Sequence, residues 1–488
     1  MASFSRRHFL GGTLAAGGML ALPRSLGWAA SANEQVNLGL IGCGGRGTEL
    51  LRAFVKVPGL KVTALCDPDQ ERVEKLGKEY DGAAKYRDLR ELLDSKDVDA
   101  VVIATPNHWH CLAAVWAMDA GKHVYVEKPL GQVNWDGQQA VNAARRHGLV
   151  CQVGTQQRSD PMQEEMKKFL HEEKSLGNIK CVRVNRFGVR PPIGNRDTLL
   201  TPPASVDFNL WLGPAKDEPL SRNALHYDWH WMWNTGSGEM GNWGVHILDD
   251  VRNNVFLDSV AFPQRIVAGG GRFGADDCGE TPNLHCALLD TGKYPVIVAV
   301  CNLPEKADGK KSPPSPGPGS GYIVTCEGGC FEGQRGHAAA FDSDGKKIKE
   351  FRGDSGDGHQ QNFVDAVRSG DPSDVNAPLE MGHQSTEWCN LANVAYRAAG
   401  SGSAAERLAR ELDVVEDAAA IVEQMREVAR AHGGNDRDFR VGPVLTFDGD
   451  KQQFTGAGAE AGNALLRRTD RAGFEVKEVE LATASAAG

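Results

Sequence analysis

The clearest pattern in the chain is an alternation between short, largely apolar runs and stretches with helical spacing. Residues 36–41 form a six-residue apolar run fit for a strand buried on both faces, and Leu50, Leu51 and Phe54 then recur at the spacing of one helix face. The pattern repeats. It predicts a strand over 60–66, a helix from about residue 70 to 79, a strand over 100–104 and a helix from about 108 to 118. A strand over 123–126, a helix from about 135 to 146 and a strand over 149–153 complete the series. Strict alternation of this kind predicts a doubly wound parallel sheet, with a ligand crevice at the carboxyl ends of its strands.

The second half reads differently. Strand-like runs at 180–186, 265–268, 284–289, 296–301 and 322–326 are separated by turns rather than by regular helices, the pattern of an α+β unit. Residues 313–319, rich in Pro and Gly, read as an inert surface connection between two of these strands, and helical patterns at 362–367 and 386–399 would cover the sheet or return to the first domain. Beyond Gly400 the composition shifts to Ala, Arg and Glu and then to a Gly- and Ala-rich tail, which is assigned no catalytic part. The expected division is 1–32, 35–155, 156–400 and 401–488, the last a helical extension and tail.

Composition narrows the picture. With 488 residues, 41% hydrophobic and 24% charged, the chain is too long for one core of ordinary size, and two domains are expected. The net charge of -10 and the lack of a basic stripe argue against a nucleic-acid surface, and no run of 18 apolar residues predicts a membrane span. Ser5-Arg6-Arg7-His8-Phe9-Leu10, the mildly apolar stretch that follows it and Ala30-Ser31-Ala32 together predict a twin-arginine export signal. Cleavage after Ala32 would remove three arginines and no acid, leaving a mature charge of -13 and a periplasmic protein. Export of an already folded chain requires no disulfide framework from the 11 cysteines. Cys326 and Cys330 read as packing residues, too far apart in extended chain to bridge.

The chemistry begins at Gly42-Cys43-Gly44-Gly45-Arg46-Gly47, between the first strand and the first helix. Gly42 permits the tight turn, Gly44 lets the backbone approach a pyrophosphate at the helix N-terminus, and Gly47 lets helix and strand pack closely; Gly45 and Arg46 complete the expected contact. Asp67 ends the second strand, 25 residues beyond Gly42, where an acid accepts hydrogen bonds from a ribose diol and repels a 2′-phosphate. NAD is therefore expected over NADP, with a helix N-cap before Pro68 as the alternative role for Asp67. Thr105-Pro106-Asn107 and Glu127-Lys128-Pro129 fall on strand ends that face the cofactor.

These elements together resemble the glucose-fructose oxidoreductase and inositol dehydrogenase family, Gfo/Idh/MocA, over residues 36 to about 400. The resemblance implies a nucleotide-binding domain followed by an α/β domain on a large open, mostly antiparallel sheet, and a sugar or cyclitol substrate. An open apolar sheet face also implies a homo-oligomer. Oxidation of an alcohol needs a base for the hydroxyl proton and a group that polarises the oxygen, and Lys128 suits the second role. The family has Asp and His four residues apart where this chain has Asn242 and His246; carried over, His246 becomes the proton acceptor and Asn242 can only hydrogen-bond. Tyr227, Trp229 and His230, with Asp228, form the densest aromatic stretch and suit a sugar, or else fill the interdomain core. Arg158, with Gln156 and Gln157, is a further expected substrate contact. His108, His110 and His230 lack the spacing of a zinc box, so no metal is expected. Two enzymatic classes follow: a carbohydrate oxidoreductase with tightly bound NAD, or a redox-neutral glycosidase, lyase or epimerase working through transient oxidation of a ring hydroxyl. Lys128 and His246 argue against a third, a non-catalytic sugar-binding module.

Overall fold

The computed structural model describes residues 35–481 apart from 275–276, 400–407, 409, 412–417 and 436–437. The expected export signal lies outside the described residues. Apolar runs become the inner strands of a six-stranded parallel sheet: β1 (Val36–Ile41), β2 (Leu60–Cys66), β3 (Ala84–Tyr86), β4 (Ala100–Ile103), β5 (His123–Val126) and β6 (Cys151–Val153). Their order is β3-β2-β1-β4-β5-β6. The chain reverses direction across the sheet between β1 and β4, the place where a doubly wound sheet opens its crevice. Helices α1 (Gly45–Phe54), α2 (Gln70–Gly77), α3 (Leu89–Leu93), α4 (His110–Asp119) and α5 (Asn134–His147) cover its faces. The edge strand β3 is only three residues long and largely exposed, which is why no hydrophobic period marks it in the sequence.

After α6 (Met162–Lys167) the chain enters a second, larger sheet. Its strands are β7 (Ile179–Phe187), β8 (Arg265–Gly271), β9 (Leu284–Asp290), β10 (Pro295–Cys301), β11 (Ser320–Cys326), β12 (Gly329–Gln334), β13 (His337–Asp342) and β14 (Lys347–Arg352). All neighbours pair antiparallel except β7 and β10. Between β7 and β8 run the short α7 (Phe208–Leu212) and α8 (Val245–Asn254). Two later helices join the halves. α9 (His359–Ser369) returns to pack on α1 and β1, while α10 (Leu379–Arg397) lies against α5 on one side and α8 and β8 on the other.

Three expectations need correction here. The segment past residue 400 is not simply a helical extension with an idle tail. Helix α11 (Ala418–Ala431) is followed by β15 (Arg440–Val441), β16 (Leu445–Asp448) and β17 (Gln453–Thr455), which extend the large sheet beyond β8, and by the short α12 (Ala459–Asn463). Phe439, Val441, Leu445, Phe447 and Phe454 are buried there, an apolar set that intervening Gly and Asp residues hide in the sequence. Phe474, Val476 and Val479 then join the core of the parallel sheet, and Arg468 donates to the His108 carbonyl at 2.9 Å and pairs with Asp136.

The argument for self-association from an exposed sheet face also loses part of its surface. Ile421, Val422, Met425 and Val428 of α11 pack on Phe187, Val267, Leu288 and Ile297. Finally, Cys326 and Cys330 are not held apart by extended chain. Glu327-Gly328 turn the chain back, so Cys326 faces Gly329 and Cys330 faces Thr325. All eleven cysteines are free thiols. No helix among the described residues is long and apolar enough to cross a membrane.

Candidate functional site

A cleft of about 680 Å³ opens at the carboxyl ends of β1, β2, β4 and β5 and is closed on its far side by residues of the second domain. Its nucleotide wall is made of backbone. Gly42 has φ +98°, and a Cβ there would stand 2.6 Å from the Ala104 carbonyl oxygen. At Gly47 a Cβ would overlap the carbonyl oxygen of Gly42 itself. Helix α1 starts with no side-chain cap and no acid in its first turn, so its leading N–H groups and positive dipole end remain available to a pyrophosphate. The cradle therefore fits a dinucleotide. Gly44, Gly45, Arg46, Thr105 and Asn107 line the same wall.

Asp67 also lines the cleft but does not cap the helix that follows. Its two oxygens accept from the Cys43 N–H at 2.8 Å and the Asp69 N–H at 2.9 Å, bracing the glycine turn, and Asp69 caps α2. Burial raises the Asp67 carboxyl to about 6. Glu127, also buried, receives Nε and Nη2 of Arg46 at 3.0 and 2.8 Å. Burial opposes its charge, but Arg46 and Lys128 overcome that and hold it below the usual range.

Lys128 joins the two walls. Its Nζ donates to the Asn242 carbonyl at 3.0 Å and to Asn242 Oδ1 at 3.3 Å. The same amide donates through Nδ2 to Glu239 Oε2 at 3.1 Å. Glu239 is 1% exposed and receives Arg186 Nε at 2.7 Å and Arg190 Nη2 at 2.9 Å. Its burial disfavours the carboxylate, yet the two arginines keep it ionised and below its ordinary value. This explains the amide at 242. A carboxylate there would face Glu239 directly, whereas Asn242 offers an oxygen to the cation and an N–H to the anion. Burial lowers the proton affinity of Lys128, with Glu127 opposing and Arg46 adding to the effect.

The opposite wall is made of side chains. Tyr227, Trp229, His230, Trp211 and Trp243 line it. Tyr227 sits in a tight turn at φ +72°, with the Asp228 N–H on the His226 carbonyl at 3.0 Å, and the residue lines the cleft while 51% exposed. A positive φ at a bulky residue carries strain, and here it holds an aromatic ring at the entrance. Arg190 Nη1 donates to the Tyr227 hydroxyl at 3.2 Å. His230 stacks on Trp229 at 3.6 Å, and burial lowers it to about 4. Asp228 turns away, accepting from the Ala224 N–H.

The loop that carries these rings is strapped to the first domain. Gln70 N–H donates to Ser205 at 3.0 Å, Asp207 N–H to Pro68 at 2.9 Å, and His226 Nε2 lies 3.1 Å from Asp69.

Not all expected site residues meet here. Arg158 is buried in ion pairs with Asp249 and Asp258, because a guanidinium sealed from water needs carboxylates and finds both at 2.8–2.9 Å. Gln156 bonds Tyr125 and Glu127, and Gln157 bonds Asp250. His246 is not on the cleft wall. It lines a small adjoining cavity with Gln157, Asp250 and Arg335, and Trp243 belongs to both cavities. Burial first, then Lys128, Arg335 and Arg46, hold its imidazole well below the ordinary value, so it is neutral. Both ring nitrogens of His108 and of His110 lie 2.7–3.2 Å from backbone carbonyls. Among the described residues no group of His, Cys, Asp and Glu is arranged to hold a metal. Sequence reasoning missed Arg190, Glu239 and Trp243; the one trace of them was the Gly236-Ser237-Gly238 turn leading into Glu239.

Residues 36–155 match an oxidoreductase family described by its NAD-binding Rossmann fold, and residues 195–300 match the C-terminal alpha/beta domain of an oxidoreductase family. The chain is 38% identical over 134 residues to a glycosyl hydrolase family 109 protein of Saccharopolyspora erythraea, covering 25% of this chain and 29% of the relative. It is 33% identical over 181 residues to inositol 2-dehydrogenase 2 of the same organism, covering 36% and 53%. The matches thus span about a third to a half of those relatives' lengths. In fold it is similar to levoglucosan dehydrogenase in complex with NADH and levoglucosan, at TM-score 0.55 and 18% identity over 74% of this chain and 96% of that one. It is likewise similar to the WlbA dehydrogenase from Bordetella pertussis in complex with NADH and UDP-GlcNAcA, at TM-score 0.52 and 19% identity over 72% and 93%.

Proposed function

We infer, for a chain whose residues 36–155 and 195–300 belong to the Gfo/Idh/MocA oxidoreductase family, that it oxidises a ring hydroxyl of a sugar, cyclitol or glycoside with NAD held throughout the cycle. The observation that carries this reading is the placement of Lys128. Its Nζ rests on Asn242 between a backbone cradle for a dinucleotide and an aromatic wall suited to the C–H face of a sugar. When bound, NAD supplies the hydride acceptor. Lys128 receives the hydroxyl: its depressed proton affinity lets the amine take the hydroxyl proton, and the ammonium so formed is held on the two Asn242 oxygens. Trp229 and Tyr227 orient the ring and exclude water, while Asp67 favours the ribose diol over a 2′-phosphate. The strap from Ser205 to His226 encloses the end of the cleft next to Asp67 and supports slow cofactor exchange, which the twin-arginine signal proposed for residues 1–32 would require of a periplasmic enzyme.

Asn242 favours a second, redox-neutral reading. Without a carboxylate at that position, transient oxidation that acidifies a neighbouring C–H and expels an aglycone is the alternative, and the family 109 relatives carry glycosyl hydrolase names. Following bound-nicotinamide absorbance and aglycone release on addition of sugars and aryl glycosides separates the two. Stable reduction supports the first reading and aglycone release without net reduction the second; no response to any of them removes both.

A further inference from the structure

The small cavity beside the cleft answers the question that Asn242 raises. It measures about 20 Å³, enough for one water, and His246 and Asp250 stand on it four residues apart on α8, hence on one helix face. Two oxygens at this cavity have no partner among the described residues: Asp250 Oδ1 and Gln157 Oε1, on side chains only 4% and 5% exposed. Gln157 Nε2 donates to the other Asp250 oxygen, which fixes both groups against each other.

We propose that Asp250 is the positioning residue of His246: one water accepts the imidazole N–H and the Asp250 Oδ1–H and donates to Gln157 Oε1. Three hydrogen bonds satisfy such a water. The bridge fixes the orientation of His246 from the cavity side. It selects one tautomer and leaves the other ring nitrogen as acceptor. The groups that face the pair are consistent with a neutral imidazole. Lys128, Arg335, Arg46 and His359 add to burial in disfavouring the imidazolium. For Asp250, burial and the nearby Asp249 and Asp160 favour the protonated carboxyl, against Arg158 and Arg335. The catalytic consequence rests on the sugar-oxidising reading; the bridge itself does not.

The test is ring-nitrogen NMR of the full chain labelled with ¹⁵N-histidine, with His246 assigned from a His246→Gln variant. The wild type gives two distinct nitrogen signals of a single tautomer. Asp250→Leu and Gln157→Leu each shift them toward the exchange average, and Asp250→Asn, which keeps a donor in place, restores them. On a substrate found by absorbance, the leucine variants lower turnover roughly 10- to 100-fold and Asp250→Asn recovers most of it. Unchanged His246 signals in both leucine variants overturn the proposal, even if thermal stability falls. Should Asp250→Leu fail to fold, Gln157→Leu decides alone. A protein that shows the tautomer effect but oxidises no sugar refutes the function and leaves the bridge standing.

Discussion

The two walls of the cleft are built on opposite principles. The nucleotide wall comes from one continuous stretch, residues 36–155, and its fit depends on backbone that nothing larger than hydrogen can crowd at Gly42 and Gly47. The facing wall comes from residues 186–243, most of them in irregular chain, and its fit depends on side chains: Tyr227 strained into place, Trp229 stacked on His230, and Glu239 clamped by Arg186 and Arg190. A backbone wall suits a constant ligand such as a dinucleotide. A side-chain wall can be respecified residue by residue, which suits a ligand that varies. Lys128 belongs to the first by sequence and to the second by contact.

The contrast can be broken most severely at Gly47. Gly47→Ala forces its methyl into the Gly42 carbonyl, so we expect loss of bound nicotinamide and of most of the folded protein, measured as cofactor per chain and by thermal unfolding; a stable variant with normal cofactor content would show that the turn is not the constraint. On the other wall, Glu239→Gln leaves two half-buried arginines sharing one neutral, buried partner. Breaking a buried ion pair costs about 3–5 kcal/mol, and denaturant unfolding should register a loss of that order with nicotinamide retained.

On the nucleotide wall, Asp67 makes stability depend on pH. Its folded-state value of about 6 lies above the ordinary 3.8, so its contribution to stability is complete below about pH 3.8 and is lost as pH rises through 6. Asp67→Asn should remove up to about 3 kcal/mol of that pH dependence, visible as a flatter stability profile between these values, and should weaken preference for NAD over NADP. An unchanged profile would mean that the carboxyl is not desolvated. The smallest effect is expected for Tyr227→Phe, which loses only the hydroxyl bond from Arg190: about 1 kcal/mol, read as a several-fold rise in KM with kcat nearly unchanged.

The two walls were also unequally legible in the sequence. Strands β1, β2, β4 and β5, the backbone constraint at Gly42 and Gly47 and the strand-end placement of Lys128 could be read because strand, turn and helix are contiguous and their periods are local. The strap was not legible, since residues 190–235 have no period and its anchors, Asp69 to Val206 and His226, lie far apart in sequence. Arg158 shows the limit from the other side: its position after β6 pointed to the cleft, but the deciding partners, Asp249 and Asp258, are about 100 residues away. His246 stands four residues from Asn242 as read, yet Asn242 lies in a π-helical turn (Met240–Gly244) just before α8, and this wider turn takes the two side chains off one face, one into the cleft and the other into the neighbouring cavity.

The central claim is that both walls serve one oxidation through Lys128. It is tested by single-turnover reduction of bound nicotinamide, with a sugar that reduces the wild-type protein, in wild type and Lys128→Ala at equal cofactor content. Reduction is expected in the wild type, with a rate lower by roughly 10²- to 10⁴-fold in the variant. Equal rates in the two proteins would contradict it.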